Sequence, residues 1–302
     1  MSLLLRPTPE ANIASVRENT VPRIKIVTDS TADIPAELAN ELDISIIPAQ
    51  VQFGDQAFRI GTELSNEQYY QLISDGRLRP RFLPPSTADI DAVFRKLTVQ
   101  YDYIFSIHMA TQLTPIYRTV QQLPTRIPAT AAKIRVVDSK SFSAGLGTIV
   151  THAARAVQDG ASPSEIDRLI ADTVGQTHFV FFVDTIDALE QAGCLEYANS
   201  TISNLQRIKP LLLLDDGEIV LYERTRTRTK AIEGLATFVE DFPKVQAVTV
   251  LYSTAAEDVE KFLERLDPIF PRADVTVIQM NPSNAAILGP GAMGVSVYEG
   301  IA

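Results

Sequence analysis

The chain has one cysteine, Cys194, and three histidines, His108, His152 and His178, among 302 residues. One cysteine excludes an intramolecular disulfide, and histidines so far apart build no Cys/His cluster. No metal ion and no cofactor are therefore expected, and a reducing cytoplasm suits the chain. Long hydrophobic runs are also missing. His178 to Val183 and Leu211 to Leu214 are of strand length, well short of the roughly 18 to 20 apolar residues of a membrane helix, so a soluble protein that does not span a membrane is expected. The start, MSLLLRPTPEANIASVRENTVP, carries only three consecutive leucines and no small-residue cleavage site after a long apolar region. It reads as a loose N-terminal extension, residues 1–22, and not as a signal peptide. Positive charge is short as well: 27 Lys and Arg against 37 Asp and Glu leave a net −10, which argues against nucleic acid or an anionic membrane as the main partner.

What is present is the composition of a folded chain, 45% hydrophobic and 21% charged, at a length that favours two compact units. Strand-like Ile24 to Thr28 precedes a helix opened by Pro35. The apolar run Ile44 to Phe53 is interrupted by Pro48, and Gly54-Asp55 makes a turn. Ser65 and Gln68 have capping-box spacing, and the prolines 80, 84 and 85 read as a loop leading to Ser86, Thr87 and a helix. Strands at Tyr103 to Ile107 and Ile134 to Val137 each lead through a loop into a helix, the second from about Ala144 to Gln158. Strands alternating with helices predict a mostly parallel sheet in an N-terminal α/β domain, residues 23–161. The box Ser162-Pro163-Ser164-Glu165 marks the boundary to a second α/β domain, residues 162–302. There, strands are expected at Phe179 to Val183, beside the turn Asp215-Asp216-Gly217, and at Val248 to Tyr252 and Val275 to Met280. Helices are expected near Ala188 and Ile202 and from Lys230 and Thr254. The hairpin makes this second sheet mixed.

Three loops carry hydroxyls between a strand and a helix, where open α/β sheets bind ligands and helix N-termini favour anions. They hold Ser86 and Thr87, Thr111 and Thr114, and Asp138-Ser139-Lys140. The same residues also suit simple helix caps. GPGAMG, Gly289 to Gly294, has the G-x-G-x-x-G spacing, yet only VSVYEGIA follows it, with no room for the required helix and strand; a tight turn before a final strand fits better. RTRTRT would present Arg224, Arg226 and Arg228 on one face if extended, as a local basic stripe or as a solvated edge strand. The Asp-Ser pairs at 29-30 and 138-139 suggest hydrolysis, but no histidine stands in a recognisable nucleophile motif, so no catalytic residue is assigned.

IKIVTDSTADIP, the FGD ending at Asp55, VDSKSFSAGLG, IKPLLLLDDGEI, RTRTKA and GPG, in this order, resemble the DegV family over almost the whole chain from about Arg23. The resemblance implies two α/β domains with a ligand cleft between them. It implies a non-catalytic lipid-binding protein that holds a long-chain fatty acid there, and a kinase partner to which related members present the acid. Carried over, the ligand-binding positions are Asp29, Ser30, Ser86, Thr87, Thr111, Thr114, Arg226, Gly289 and Gly291. This chain departs from the family at the head-group end. Phe82-Leu83 replaces a threonine-serine pair, Cys194 an arginine, and Ile287 a histidine. A diverged member that binds another small apolar anion, or that acts as an interaction module, is the alternative.

Overall fold

The computed structural model describes residues 22–123, 126–127, 132–195 and 208–301. Residues 1–21 of the N-terminal extension and the helix expected near Ile202 lie outside the described residues. All six residues of β1 (Ile24–Asp29) are buried, and Pro35 caps α1 (Ala36–Glu41). The run Ile44 to Phe53 breaks at Pro48 into β2 (Ser45–Ile47), parallel to β1, and β3 (Gln50–Phe53), antiparallel to β4 (Gln56–Arg59). Proline has no N–H for a ladder, so the chain changes sheets there. Ser65 and Gln68 form a complete capping box on α2 (Asn66–Ile73). Pro80–Leu83, expected as part of a loop, is a strand, β5, which pairs with β3 at the edge of a three-stranded sheet ordered β4-β3-β5. Proline is tolerated at the first residue of an edge strand.

Ser86 caps α3 (Thr87–Leu97), which leads to β6 (Tyr103–His108), α4 (Ile116–Gln121) and β7 (Lys133–Asp138). The resulting sheet, β2-β1-β6-β7, is parallel throughout. One face packs on α3 and α4 around Val27, Ile90, Phe94 and Ile104. The other meets α5 (Ser143–Gln158), whose buried residues include Leu146, Ile149, Val150, Ala153 and Ala154. So many buried positions suit a helix with a sheet on either side: α5 lies against β1 and β6 and also against the second sheet. At Gly147 it comes so close to the chain after β1 that a Cβ would sit 2.5 Å from the Ala32 carbonyl oxygen.

Ser162 and Glu165 complete the capping box of α6 (Pro163–Gly175), which leads into β8 (Thr177–Phe182) and α7 (Asp187–Gln191). β9 (Lys209–Asp215) and β10 (Glu218–Thr225) form the expected hairpin. Then follow α8 (Arg228–Glu240), β11 (Ala247–Tyr252), α9 (Ala256–Leu266), β12 (Val275–Gln279), α10 (Pro282–Leu288) and β13 (Met293–Tyr298). The sheet order is β10-β9-β8-β13-β11-β12, mixed because β11 and β12 alone run parallel within it. Helices α8 and α9 cover its outer face over Phe182, Val250 and Val295, with Phe262 of α9 in the same cluster. Thr254 does not cap α9; its hydroxyl accepts from Gly291 N at 3.1 Å. Helix α10, unforeseen from the sequence, is capped by Asn281 and packs on β5, β3 and α2, joining the C-terminal sheet's helices to the small N-terminal sheet.

Candidate functional site

The C-terminal end of β1 enters a buried polar network. Asp29 accepts from Thr31 N at 3.0 Å and from Thr31 Oγ1 at 2.5 Å, and its other oxygen lies 2.7 Å from His108 Nδ1. His108 Nε2 is in turn 2.6 Å from Ser106 Oγ. Ser106 and His108 are two residues apart on β6, so their side chains share one face of the strand. This chain of groups has the connectivity of a hydrolytic relay, but Asp29, Ser106 and His108 all have 0% exposure, leaving a substrate no approach. Ser30 Oγ accepts from Ala49 N and pairs with Ser283 Oγ, each at 2.9 Å, tying the start of the chain to α10.

Three residues beyond Ser30, Asp33 takes a left-handed φ of 49° and accepts from Ser143 Oγ, Asn281 N and the Asn284 side-chain amide at 2.5, 2.7 and 2.6 Å. Burial pushes its carboxyl up to about 6, against the pull of those three donors. Asp33 thereby joins the turn after β1, the start of α5 and the start of α10 at one point.

The hydroxyls nominated from sequence are spread apart and largely committed. Ser86 Oγ donates to Asp89 Oδ2 at 2.6 Å and accepts from Asp89 N, as an N-cap should. Thr87 is exposed on the first turn of α3. Thr111 Oγ1 donates to Asp138 Oδ2 at 2.7 Å, so its proton is spent within the fold. Thr114 is buried and its Oγ1 has no hydrogen-bond partner among the described residues. The turn between β9 and β10 closes over this region: Asp216 pairs with Lys140, and Gly217 lies against Ala110 and Lys140. Cys194 donates to the Leu113 carbonyl oxygen at 3.5 Å, and burial pushes its thiol up to about 12, which makes it an inert core group.

Around the Gly-Pro-Gly turn sits a charged cluster that the sequence did not disclose. Asp184 pairs with Lys209 and with Arg228 Nη1, and Arg228 also pairs with Asp258 while its guanidinium lies 5.1 Å from the centre of the Phe182 ring. Burial raises the Asp258 carboxyl, but donors on Lys261 and Arg228 outweigh it and hold the group below its ordinary range. A Cβ at Gly291 would fall 2.2 Å from Asp184 Oδ2, so only glycine fits beside the cluster. The three arginines do not share one environment: Arg224, within β10, and Arg226, just after it, are exposed, whereas Arg228 turns inward at the start of α8.

Two cavities lie where N-terminal and C-terminal elements meet. The first, about 510 Å³, is lined by α6, β7 and β8 and by the β9–β10 turn, with the pairs Arg135–Asp167 and Lys140–Asp216 on its walls. The second, about 320 Å³, has Ile73, Leu78 and Pro80 on one side and Ala188, Ala286, Leu288, Gly289 and Pro290 on the other. Ala286 and Leu288 belong to the same apolar cluster as Phe82, Leu113, Cys194 and Ile287. Of the ligand-binding positions carried over by the resemblance, Gly289 alone lines either cavity, while Asp138 and Lys140 of the third hydroxyl-bearing loop line the first. Among the described residues no helix is long and apolar enough to cross a membrane.

A model of the family described as "uncharacterised protein, DegV family" matches residues 23–300. A DegV domain-containing protein of Caldanaerobacter subterraneus is 27% identical over 286 residues, 92% of this chain and 99% of that protein. The crystal structure of DegV, a fatty acid binding protein from Bacillus subtilis, is 26% identical, with a TM-score of 0.77 over 92% of this chain and 99% of the other. A DegV family protein from Thermus thermophilus, described for its fatty acid binding, shares the fold at 23% identity, with a TM-score of 0.78 over 92% of this chain and 99% of that one.

Proposed function

The chain belongs to the DegV family, and from that premise we propose that it is a non-catalytic carrier that holds a long-chain fatty acid between its two α/β units, which we divide between α5 and α6. The observation that carries the reading is the 320 Å³ cavity between the α2–β5 segment and helices α7 and α10. Its volume lies at the lower end of the range for small-molecule sites, and its walls are largely apolar. Each methylene buried there contributes about 0.8 kcal/mol, so tail burial supplies most of the affinity. The likeness to a fatty acid binding protein along nearly the full length of both chains supports the same reading. Where the resemblance places an arginine and a histidine, Cys194 and Ile287 are 3% and 1% exposed. Neither can meet a phosphate with a charge-assisted hydrogen bond, so holding the acid, and not handing it to a kinase, is the role assigned.

Native mass spectrometry of protein purified from cells tests this. The expected result is a fatty acid bound non-covalently. Apo mass alone, with no thermal shift on adding saturated and unsaturated fatty acids, would reject the reading.

A further inference from the structure

We propose that Arg79, on the loop between α2 and β5, is the residue that meets the anionic head group of the bound acid. This rests on the acyl-binding reading above and names how that site recognises its ligand.

A carboxylate taken out of water needs a charged or hydrogen-bonding partner. The groups nominated from sequence do not supply one to this cavity. Ser86 and Thr111 spend their hydroxyl protons on Asp89 and Asp138, Thr114 lies off its walls, and Arg226 does not line it either. Phe82, Cys194 and Ile287 are core residues of the adjoining apolar cluster.

Among the described residues that line the cavity, Arg79 is the one cation. It is exposed, and its guanidinium makes no ion pair or hydrogen bond to a described residue, unlike Arg77 two positions earlier, which faces Asp75 at 3.6 Å. Of the two acids on the walls, Asp184 is neutralised by Lys209 and Arg228, and Asp187 repels a carboxylate. Lys209 and Arg228, which pair with Asp184, are not wall residues, so Arg79 is the place on these walls where a negative head group is met by positive charge. A guanidinium presents two parallel N–H groups that match both oxygens of a carboxylate.

The loop also has the right polarity order for a fatty acid. Leu78 precedes Arg79, lines the same cavity and stays 42% exposed, an apolar side chain left for a ligand to cover. Across from it, Ala286 and Leu288 are buried at 4% and 1%. An acid whose head rests on Arg79 therefore runs its tail past Leu78 toward α10.

Delipidated full-length protein titrated with oleic acid, methyl oleate and oleyl alcohol decides the matter. Arg79→Gln should weaken oleic acid about tenfold, leave methyl oleate and oleyl alcohol unchanged, and be partly rescued in Arg79→Lys. Because Arg79 is exposed and has no ion pair or hydrogen bond among the described residues, the Gln variant should keep the wild-type melting temperature. Equal affinity of wild type and Arg79→Gln for oleic acid overturns the head-group assignment while the acyl-binding reading stands. Wild type that binds none of the three probes overturns both.

Discussion

Asn284, on α10, donates its side-chain amide to the buried carboxylate of Asp33 at 2.6 Å, across 251 residues of chain. The same amide donates to the Thr31 carbonyl oxygen at 2.9 Å, so it is held in one orientation. A carboxyl that joins three elements in this way, in an environment that favours its neutral form, makes the joint weaken as pH rises and the carboxyl ionises.

Stability should carry a signature of Asp33 between about pH 4 and pH 7. Its native value of about 6 lies above the ordinary 3.8, so the folded protein holds this proton more tightly than the unfolded chain does. The stabilisation is complete below the unfolded value and is lost as pH rises through about 6. A shift of this size corresponds to about 3 kcal/mol. In urea unfolding, the stability of wild type minus that of Asp33→Asn should fall by this order from the acid end to the neutral end. A difference independent of pH would show that Asp33 titrates normally.

Gly147→Ala should destabilise the protein even though alanine is favoured over glycine in a helix by about 1 kcal/mol. The added Cβ would stand 2.5 Å from the Ala32 carbonyl oxygen, which forces α5 away from the turn after β1. Gly175→Ala, at the end of α6 with nothing within 4 Å of the new Cβ, should be neutral or stabilising. Paired thermal melts should show opposite signs; two stabilised variants would mean that α5 is free to shift.

Thr111→Val should cost about 1 to 3 kcal/mol of stability, because it removes a hydrogen bond to the Asp138 carboxylate. Oleic acid affinity should remain at the wild-type level, since Thr111 lines neither cavity. Thr114→Val deletes a buried hydroxyl that has no partner among the described residues and should leave stability unchanged or raise it. Denaturant unfolding and oleic acid titration on both variants check this. A loss of affinity in Thr111→Val at unchanged stability would return that hydroxyl to the ligand site.

Features governed by neighbours along the chain were legible in the sequence. The capping boxes of α2 and α6, the cap of α3, the break at Pro48, the β9–β10 hairpin and the alternation that yields a parallel sheet all depend on contacts within a few residues. Family membership was legible for a related reason, because its motifs are short and keep their order. Tertiary structure alone decided which polar groups are spent. No periodicity pairs His108 with Asp29, 79 positions away, or Ser30 with Ser283, 253 positions away. Nor does any local pattern tell Arg228, drawn into Asp184 and Asp258, from Arg226, left in solvent two residues earlier. The strand β5 and the helix α10 escaped notice because short elements carry weak periodic signals and are held by packing against distant chain. Arg79 lies on a loop with no motif of its own, and only the approach of α7 and α10 turns that loop into one wall of a cavity.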